Sequence, residues 1–353
     1  CAVGVGNTAK LSVGIVSAYQ FYGDGSNLTG AGGFSPDDQE NLVAGTDAGA
    51  AKDADTCFNI MIGKAAGCEI NAGDNNVILG CFAGSSNESG SYNVLIGQGA
   101  GKETTSGCNV FIGRYAGRCN TTGARNIAIG NPAGGKSVSQ GNFTGSYNTT
   151  IGDCSGINIT SGNKNTFYGH YSGVCNTTGS CNTAIGTKAM GGQGYVTGSD
   201  NIAIGESALC GVCAGATNVS IGKCAGRCIT TGCRNIALGL AALQDATTVD
   251  DTIAIGRCAG KTAGTGNGNI FLGGYAGSQN GTAADNDAAN NIAMGWAAGC
   301  GLTDGDNNIF MGNNAGSETT TGLANVMIGN YAGDNHVSGS ENTYISHCAG
   351  RCM

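Results

Sequence analysis

The chain repeats itself about every seventeen residues from residue 41 onward, and this period limits what it can fold into. The segment NVFIGRYAGRCNTTGAR (109–125) is one full unit, and NIAIG (126–130) begins the next. Between the glycines that close successive Asn-x-x-Ile-Gly motifs, twelve of seventeen intervals are 17 residues long and two are 22. A unit this short holds one turn of a solenoid and not a domain. We therefore expect an all-β fold, a β-solenoid (β-roll) of about eighteen 17-residue coils over residues 41–353.

Each coil has a predicted strand just before the glycine of its Asn-x-x-Ile-Gly motif. We number this glycine as position zero. Position −3 is mostly Val, Ile or Thr and position −1 mostly Ile, Leu or Met, whereas position −2 varies from Ala128 to Phe111. This alternation predicts a β-strand whose positions −3 and −1 face inward. Position +3 is Ala or Ser in every coil, so we expect it to pack inside against the opposite wall. Glycines at zero, +4 and +10 indicate turns. The two 22-residue intervals, within 134–148 and 278–290, are expected as surface loops or tolerant turns.

Position −4 is Asn in seventeen of eighteen coils, with Thr252 as the exception. Equivalent side chains in a solenoid stack about 4.8 Å apart, so their amides can bond to one another and to the turn backbone. The alternative is that Asn only tolerates the turn conformation. We expect a structural ladder formed by Asn59, Asn76, Asn93, Asn109, Asn126, Asn148, Asn165, Asn182, Asn201, Asn218, Asn235, Asn269, Asn291, Asn308, Asn325 and Asn342.

Residues 1–40 lack the repeat. Their segment LSVGIVSAYQFYGDGSNLTG (11–30) predicts a strand followed by a linker, so we divide the chain into a 1–40 segment, a candidate assembly contact, and a 41–353 solenoid. The net charge of −8 disfavours nucleic acid and anionic membrane surfaces as partners. No apolar run is long enough to span a bilayer. The chain begins with Cys1 and not with Met, which indicates a processed or partial chain.

Eighteen cysteines favour an oxidising, extracellular location and disulfide bonds. Zinc binding and unpaired buried thiols are the alternatives. Cysteines at +5 or +6 are in phase with others at +11 or +12, which predicts pairing across a turn. The candidate pairs are Cys57 with Cys68, Cys108 with Cys119, Cys175 with Cys181, and Cys228 with Cys233. Cys210 and Cys213 compete for the last pair.

Nine Asn-x-Ser/Thr sequons indicate surface glycosylation, although a repeat rich in Asn and Thr also produces sequons by chance. The candidate acceptors are Asn27, Asn87, Asn120, Asn142, Asn148, Asn158, Asn176, Asn218 and Asn280.

The sequence contains no recognisable catalytic or metal-binding motif. Its three histidines lie at unrelated positions of the coil, so no nucleophile–base arrangement can be assembled. The segments 285–287 and 304–307 contain pairs of Asp but match no calcium-loop pattern. We expect no enzyme activity, no cofactor and no metal.

The unit NVFIGRYAGRCNTTGAR, with its Asn-Thr-Ala-hydrophobic-Gly relatives separated by TTG, resembles the repeats of phage and bacterial tail-fibre-like proteins. It is also similar to the β-roll heads of trimeric autotransporter adhesins, which repeat at a shorter period. The resemblance covers residues 41–353, and FYGDGSNLTG (21–30) looks like a segment found in phage fibre proteins. It implies an extended, surface-exposed and often trimeric fibre or adhesin.

These observations predict a structural subunit of an extracellular or virion fibre, self-assembling head-to-tail, with copies of the same chain as its partners. A trimeric tail-fibre shaft or a carbohydrate- or cell-surface-binding adhesin is the alternative. Aromatic residues at −2 could contact surface glycans in that case: Phe111, Phe167, Phe271, Phe310 and Tyr344. An ice-binding face is a third interpretation, suggested by Thr pairs such as Thr121 and Thr122.

Overall fold

The computed structural model describes residues 36–135, 142–192, 194–278 and 287–351. The chain divides between Ser35 and Pro36 into two compact units, and the second of them contains the solenoid. Most of the predicted 1–40 segment, with its assembly contact, lies outside the described residues.

In the described part of the second unit, eighteen three-residue β-strands form one parallel sheet. Each strand pairs in register with the strand one turn later, so equivalent positions of successive turns lie side by side. The all-β solenoid predicted from the period is therefore confirmed. The strands are β1 (Leu42–Ala44), β2 (Ile60–Ile62), β3 (Val77–Leu79), β4 (Val94–Ile96), β5 (Val110–Ile112), β6 (Ile127–Ile129), β7 (Thr149–Ile151), β8 (Thr166–Tyr168), β9 (Thr183–Ile185), β10 (Ile202–Ile204), β11 (Val219–Ile221), β12 (Ile236–Leu238), β13 (Ile253–Ile255), β14 (Ile270–Leu272), β15 (Ile292–Met294), β16 (Ile309–Met311), β17 (Val326–Ile328) and β18 (Thr343–Ile345).

The inward-facing residue of each strand is its middle residue. Met61, Phe111 and Phe310 at position −2 are fully buried, while the residues on either side of them are half-buried or exposed. The prediction that −3 and −1 face inward is therefore wrong. Side chains alternate along a strand, so the Asn at −4 and the residue at −2 share the inward face.

The interior is completed by positions +3 and +7 on the opposite side of the turn. Ala225 at +3 and Ile229 at +7 have no solvent exposure. The prediction that +3 lies inside is thus confirmed, whereas +7 was not recognised from the sequence as an inward position.

Core volume is balanced within single turns. Where −2 is a large ring, +4 is glycine: a Cβ added at Gly117 would come within 2.5 Å of the Phe111 ring. Three turns have Met or Leu at +4 instead, and each of them has Ala at −2. Leu209 with Ala203 is one such pair, and both side chains are fully buried. The variability at −2 is therefore a property of a packed core.

The glycine at position zero is required by the close approach of the next turn. Gly63 has a φ of +130°, and a Cβ there would lie 2.8 Å from the carbonyl of Gly80. Because one turn follows another at strand spacing, this clash would recur along the sheet.

The two long intervals do not disturb the sheet. β6 still pairs in register with β7, and β14 with β15, across the added residues. The inserted segments themselves fall largely on residues 136–141 and 279–286, which lie outside the described part of the chain.

Candidate functional site

A continuous asparagine ladder runs through the interior beside the sheet. The Oδ1 of Asn59 accepts hydrogen bonds from the backbone N–H of Asn76 (2.9 Å) and from its Nδ2 (3.0 Å). The same Nδ2 also donates to the carbonyl of Gly90 at 2.9 Å. Each buried amide is thus satisfied by the turns before and after it, as a buried polar group requires.

The backbone-to-Oδ1 bond recurs at every Asn-to-Asn step from Asn41 to Asn342, at 2.8–3.1 Å. At the one interruption, the N–H of Thr252 donates to Asn235, and the Thr252 hydroxyl accepts from Asn269 at 3.4 Å. The predicted ladder therefore exists at all sixteen predicted positions, and Thr252 carries it on with a weaker bond.

The outward face of the sheet is uncharged along its whole length and mostly apolar. Positions −3 and −1 of the eighteen strands hold Ile, Val, Leu, Met, Ala, Thr and one Tyr, with no charged residue among them. We call these residues the outward face. All of them are half-buried or exposed; Ile202 is 37% and Ile255 43% exposed.

The outward face is large for a chain that stands alone. Seventeen strand spacings give a length of about 80 Å, and two side chains per strand give a width of about 7–10 Å, so its area is about 600–800 Å². The largest apolar patch on a typical monomer is about 300–600 Å², whereas each partner in a standard protein interface buries about 800 Å². The face therefore has the size and composition of an interface.

Cations and aromatic rings share the first corner after the strand. Except for Pro132, the residues at +2 adopt a left-handed conformation although most are not glycine, and several are aromatic rings. Arg114 and Arg118 lie 4.6 and 5.0 Å from the Tyr115 ring centre, and Arg257 lies 4.8 Å from that of Tyr275. Each contact is a cation–π interaction. The sequence analysis missed this row, which the spacing of Arg and Tyr across one period could have indicated.

Opposite charges also pair between neighbouring turns. Arg234 holds Asp251, 17 residues later, through two hydrogen bonds of 2.6 and 2.8 Å. The guanidinium lowers the pKa of the Asp251 carboxyl, and the pKa of Arg234 is raised in turn. Both side chains are more than half exposed, so the pair orders the surface more than it stabilises the fold.

No disulfide bond joins any two of the described cysteines, so none of the four predicted pairs is present as a bond in this structure. Burial raises the pKa of the Cys119 thiol to about 11 and also raises that of Cys175. Cys108 and Cys181, their proposed partners, are exposed. The pairing scheme stays a prediction for thiol mapping.

Most candidate glycosylation sites are interior residues. Five of the nine sequon asparagines are at most 1% exposed: Asn87, Asn120, Asn148, Asn176 and Asn218. Their amides are hydrogen-bonded inside the solenoid, so these five are corrected from surface acceptors to core residues. Asn142 is exposed and Asn158 half-buried, while Asn27 and Asn280 lie outside the described residues.

The aromatic residues proposed to contact glycans are also inside. Phe111, Phe167, Phe271 and Phe310 are at most 2% exposed, and Tyr344 is packed against the core. The four phenylalanines cannot form a binding surface in the folded solenoid.

The threonines considered for ice binding are partly engaged by the next turn. In the pairs Thr177 with Thr178 and Thr230 with Thr231, the hydroxyl groups of Thr177 and Thr230 donate to backbone carbonyls one turn later. They are therefore not free to match a lattice.

The described residues contain no group of three or more His, Cys, Asp or Glu side chains that could hold a metal ion. None of them forms a helix that is long and apolar enough to cross a membrane. Comparison with protein-family models and with curated protein sequences finds no match to this chain.

Proposed function

We propose that the chain is a structural subunit of an extracellular or virion fibre and that its solenoid associates side by side with copies of itself through the outward face. The observation that carries this proposal is the continuity of that face: eighteen strands in register present apolar residues and no charge. Burying such a surface against an identical one is favourable in proportion to the apolar area removed from water.

The interior supports the same role. Successive turns use the same inward positions and the same type of ladder contact, so one turn packs on the next in the same way along the solenoid. Repeat solenoids of this kind gain length by adding turns, because each turn contacts only its neighbours. Length, and not a cleft with catalytic groups, is what this architecture supplies.

A trimer would be one form of the side-by-side association proposed above. Head-to-tail growth is a second mode of assembly. Among the described strands, β1 pairs only with β2 and β18 only with β17. An unpaired strand edge recruits another strand, so a second copy could continue the sheet at either place. The two modes bury different surfaces and respond to different variants.

The double variant Ile236→Lys, Ile270→Lys tests side-by-side assembly. Both residues lie on the outward face and are half-buried, so the fold tolerates a longer polar side chain there. An unpaired charge buried between copies costs several kcal/mol. We expect wild-type protein to sediment as an oligomer and the double variant as a monomer with an unchanged circular dichroism spectrum.

The matched control adds the same charges away from the sheet. Ala214 and Thr231 are exposed, and neither belongs to a strand. Ala214→Lys, Thr231→Lys should therefore assemble as wild type does. Wild-type protein that stays monomeric at high concentration, or an outward-face variant that assembles normally, would refute side-by-side association.

We also infer an extracellular or virion location, which rests on the cysteine content and on the two accessible sequons. Peptide mass mapping of the native protein tests it. A hexose-containing mass addition at Asn142 or Asn158 alone agrees with the structure and the proposal. Glycans on the buried Asn176 would contradict the described fold.

A further inference from the structure

A cleft of about 170 Å³ lies at the first corner of the solenoid, between turns that are two strand spacings apart. Its walls are the rings of Phe82 and Tyr115, and Gly99 forms its floor. Gln98, Lys102 and Arg118 complete the lining. Phe82 is 42% exposed, so the cleft opens to solvent.

The cleft exists because the row of residues at +2 is interrupted at Gly99. Phe82 and Tyr115 adopt the same left-handed conformation at this position, with φ values of 57° and 59°, so the backbone does not require glycine. A Cβ at Gly99 would lie 2.8 Å from Cδ1 of Tyr115. Any larger residue there would fill the space between the two rings.

The cleft is cationic although the chain is acidic. Lys64 lies 5.8 Å from the Phe82 ring centre, and both Arg114 and Arg118 lie over Tyr115. Within the described residues, these three side chains form no ion pair with a carboxylate, and Lys102 forms none either. Glu103 is the neighbouring carboxylate, and it forms no ion pair with them.

Two details describe how these cationic side chains are held. The Nε of Arg118 is buried and makes no hydrogen bond, which is an expensive state for a guanidinium nitrogen. The Nε–H of Arg114 donates to Oε1 of Gln98 at 3.3 Å. This bond holds the Arg114 side chain at the edge of the cleft. Elsewhere on the solenoid, Lys223, Arg234 and Lys261 have carboxylate partners one turn away.

We propose that this cleft binds an acidic sugar, a pyranose unit that carries a carboxylate, as part of a glycan. The two rings offer stacking faces for the C–H surface of a pyranose, and the guanidinium of Arg118 with the ammonium of Lys102 binds its carboxylate. An arginine–carboxylate contact is a strong, charge-assisted hydrogen bond. The small volume admits one sugar unit and not a folded partner. This site is independent of the assembly proposed above.

A second corner of the same solenoid provides the matched control. Tyr275 also lies at +2 with Arg257 over its ring, but the Trp296 ring packs edge-on against Tyr275 at a centroid distance of 5.1 Å. Trp296 also covers Gly274, where an added Cβ would lie 2.7 Å from its ring. The protein's own indole therefore packs against the Tyr275 ring, whereas the Tyr115 ring lines an open cleft.

Isothermal titration with glucuronate, glucose, acetate and inorganic phosphate as separate probes tests the proposal. We expect glucuronate to bind in the millimolar range and each of the other three at least about tenfold more weakly, because each lacks either the charge or the ring. Tyr115→Ala and Arg118→Gln should each weaken glucuronate binding at least about tenfold. Tyr275→Ala and Arg257→Gln should leave it unchanged.

Three results would overturn the acidic-sugar site. These are no glucuronate binding up to its solubility limit, acetate or phosphate binding as tightly as glucuronate, and equal losses in the two sets of variants. Sedimentation of the Tyr115→Ala variant keeps the outcomes separate, because it should assemble as wild type whether or not it binds the sugar.

Discussion

A buried asparagine is tolerated in this core because each of its hydrogen-bonding groups meets a partner in a neighbouring turn. The Oδ1 of Asn201 accepts from the N–H and the Nδ2 of Asn218, while its own Nδ2 donates to Asn182 and to Gly215. Removing one amide therefore leaves donors in the next turn without an acceptor. The side chain joins turns that the three-residue strands alone would hold by few hydrogen bonds.

Replacing Asn201 with Ala should lower the free energy of unfolding by about 1–3 kcal/mol, the cost of a buried donor left unpaired. Urea unfolding followed by circular dichroism measures the change. Asn142→Ala removes an exposed amide and should be neutral within about 0.5 kcal/mol. Equal stability of the two variants would mean that the ladder does not contribute to folding.

Thiol reactivity should separate buried from exposed cysteines in the reduced, folded protein. With a pKa of about 11, Cys119 has on the order of one thiolate per thousand molecules at pH 8, and its side chain is buried. We expect Cys108 and Cys181 to react with iodoacetamide at pH 8 well before Cys119, whose rate should increase as the pH approaches 11. Peptide mass mapping measures the rates, and labelling of Cys119 as fast as Cys108 would contradict the described burial.

The same mapping without prior reduction tests the disulfide scheme. Protection of Cys108 and Cys181 that is lost on reduction would support the pairs with Cys119 and Cys175. Labelling of both before reduction would exclude those pairs.

The three-residue strand shows how far the sequence alone could predict this structure. The period, the strands, the small residue at +3 and the ladder were all predictable, because a regular spacing specifies them. The direction of the side chains was not, because apolar residues occupy both faces of each strand and a period of two does not say which face is inside. One signal could have decided it: Asn109 at −4 must share a face with Phe111 at −2, so an interior asparagine ladder places −2 inside as well.

The cleft at Gly99 was beyond sequence analysis for a different reason. Its walls, Phe82 and Tyr115, are two turns apart, and only the stacking of turns brings them together. A glycine in this repeat is usually a turn residue, so one that leaves space between two rings cannot be distinguished before the register is known.

Adjacent residues of β16 should lose very different amounts of stability on truncation. Phe310→Ala removes a fully buried ring and should cost about 3–5 kcal/mol of unfolding free energy, whereas Ile309→Ala, on the outward face, should cost less than about 1.5 kcal/mol. Urea unfolding at a concentration that keeps the protein unassembled measures both. A larger effect at Ile309 would restore the original assignment of the inward face.

Overpacking tests the opposite wall of the turn. Ala225 is fully buried at +3, so Ala225→Leu should destabilise the solenoid by about 1–3 kcal/mol. Ala214→Leu, at an exposed turn position in the preceding coil, is the control and should be close to neutral. Thermal unfolding of the two variants side by side is sufficient, and identical melting temperatures would place +3 outside the core.

Taken together, the turns form a nearly one-dimensional object, because each strand pairs only with the strands before and after it. Stability in such a fold is approximately a sum of terms within turns and between neighbouring turns. A complete turn can then be removed without losing any type of contact, whereas part of a turn cannot.

Deleting residues 202–218 should give a folded solenoid that is one turn shorter. The deletion removes seventeen residues and places Asn201 directly before Val219, as Asn218 stands now, so the ladder and the strand register are kept. Deleting only 202–209 breaks both and should abolish cooperative unfolding. Circular dichroism with small-angle scattering checks the pair, and similar behaviour of the two deletions would contradict the independence of turns.

The alignment of the ladder and sheet hydrogen bonds along the solenoid axis has a mechanical consequence. A pulling force along that axis loads successive turns in series, so each turn bears the full tension and the weakest one opens first. The ladder contact at Thr252, whose hydroxyl accepts a 3.4 Å hydrogen bond from Asn269, is where we expect the first turn to open. An opened turn of seventeen residues lengthens from about 5 Å to about 56–61 Å. A fibre of such subunits would extend in steps under load and recoil as turns close again, so that it absorbs a sudden pull before any covalent bond is strained.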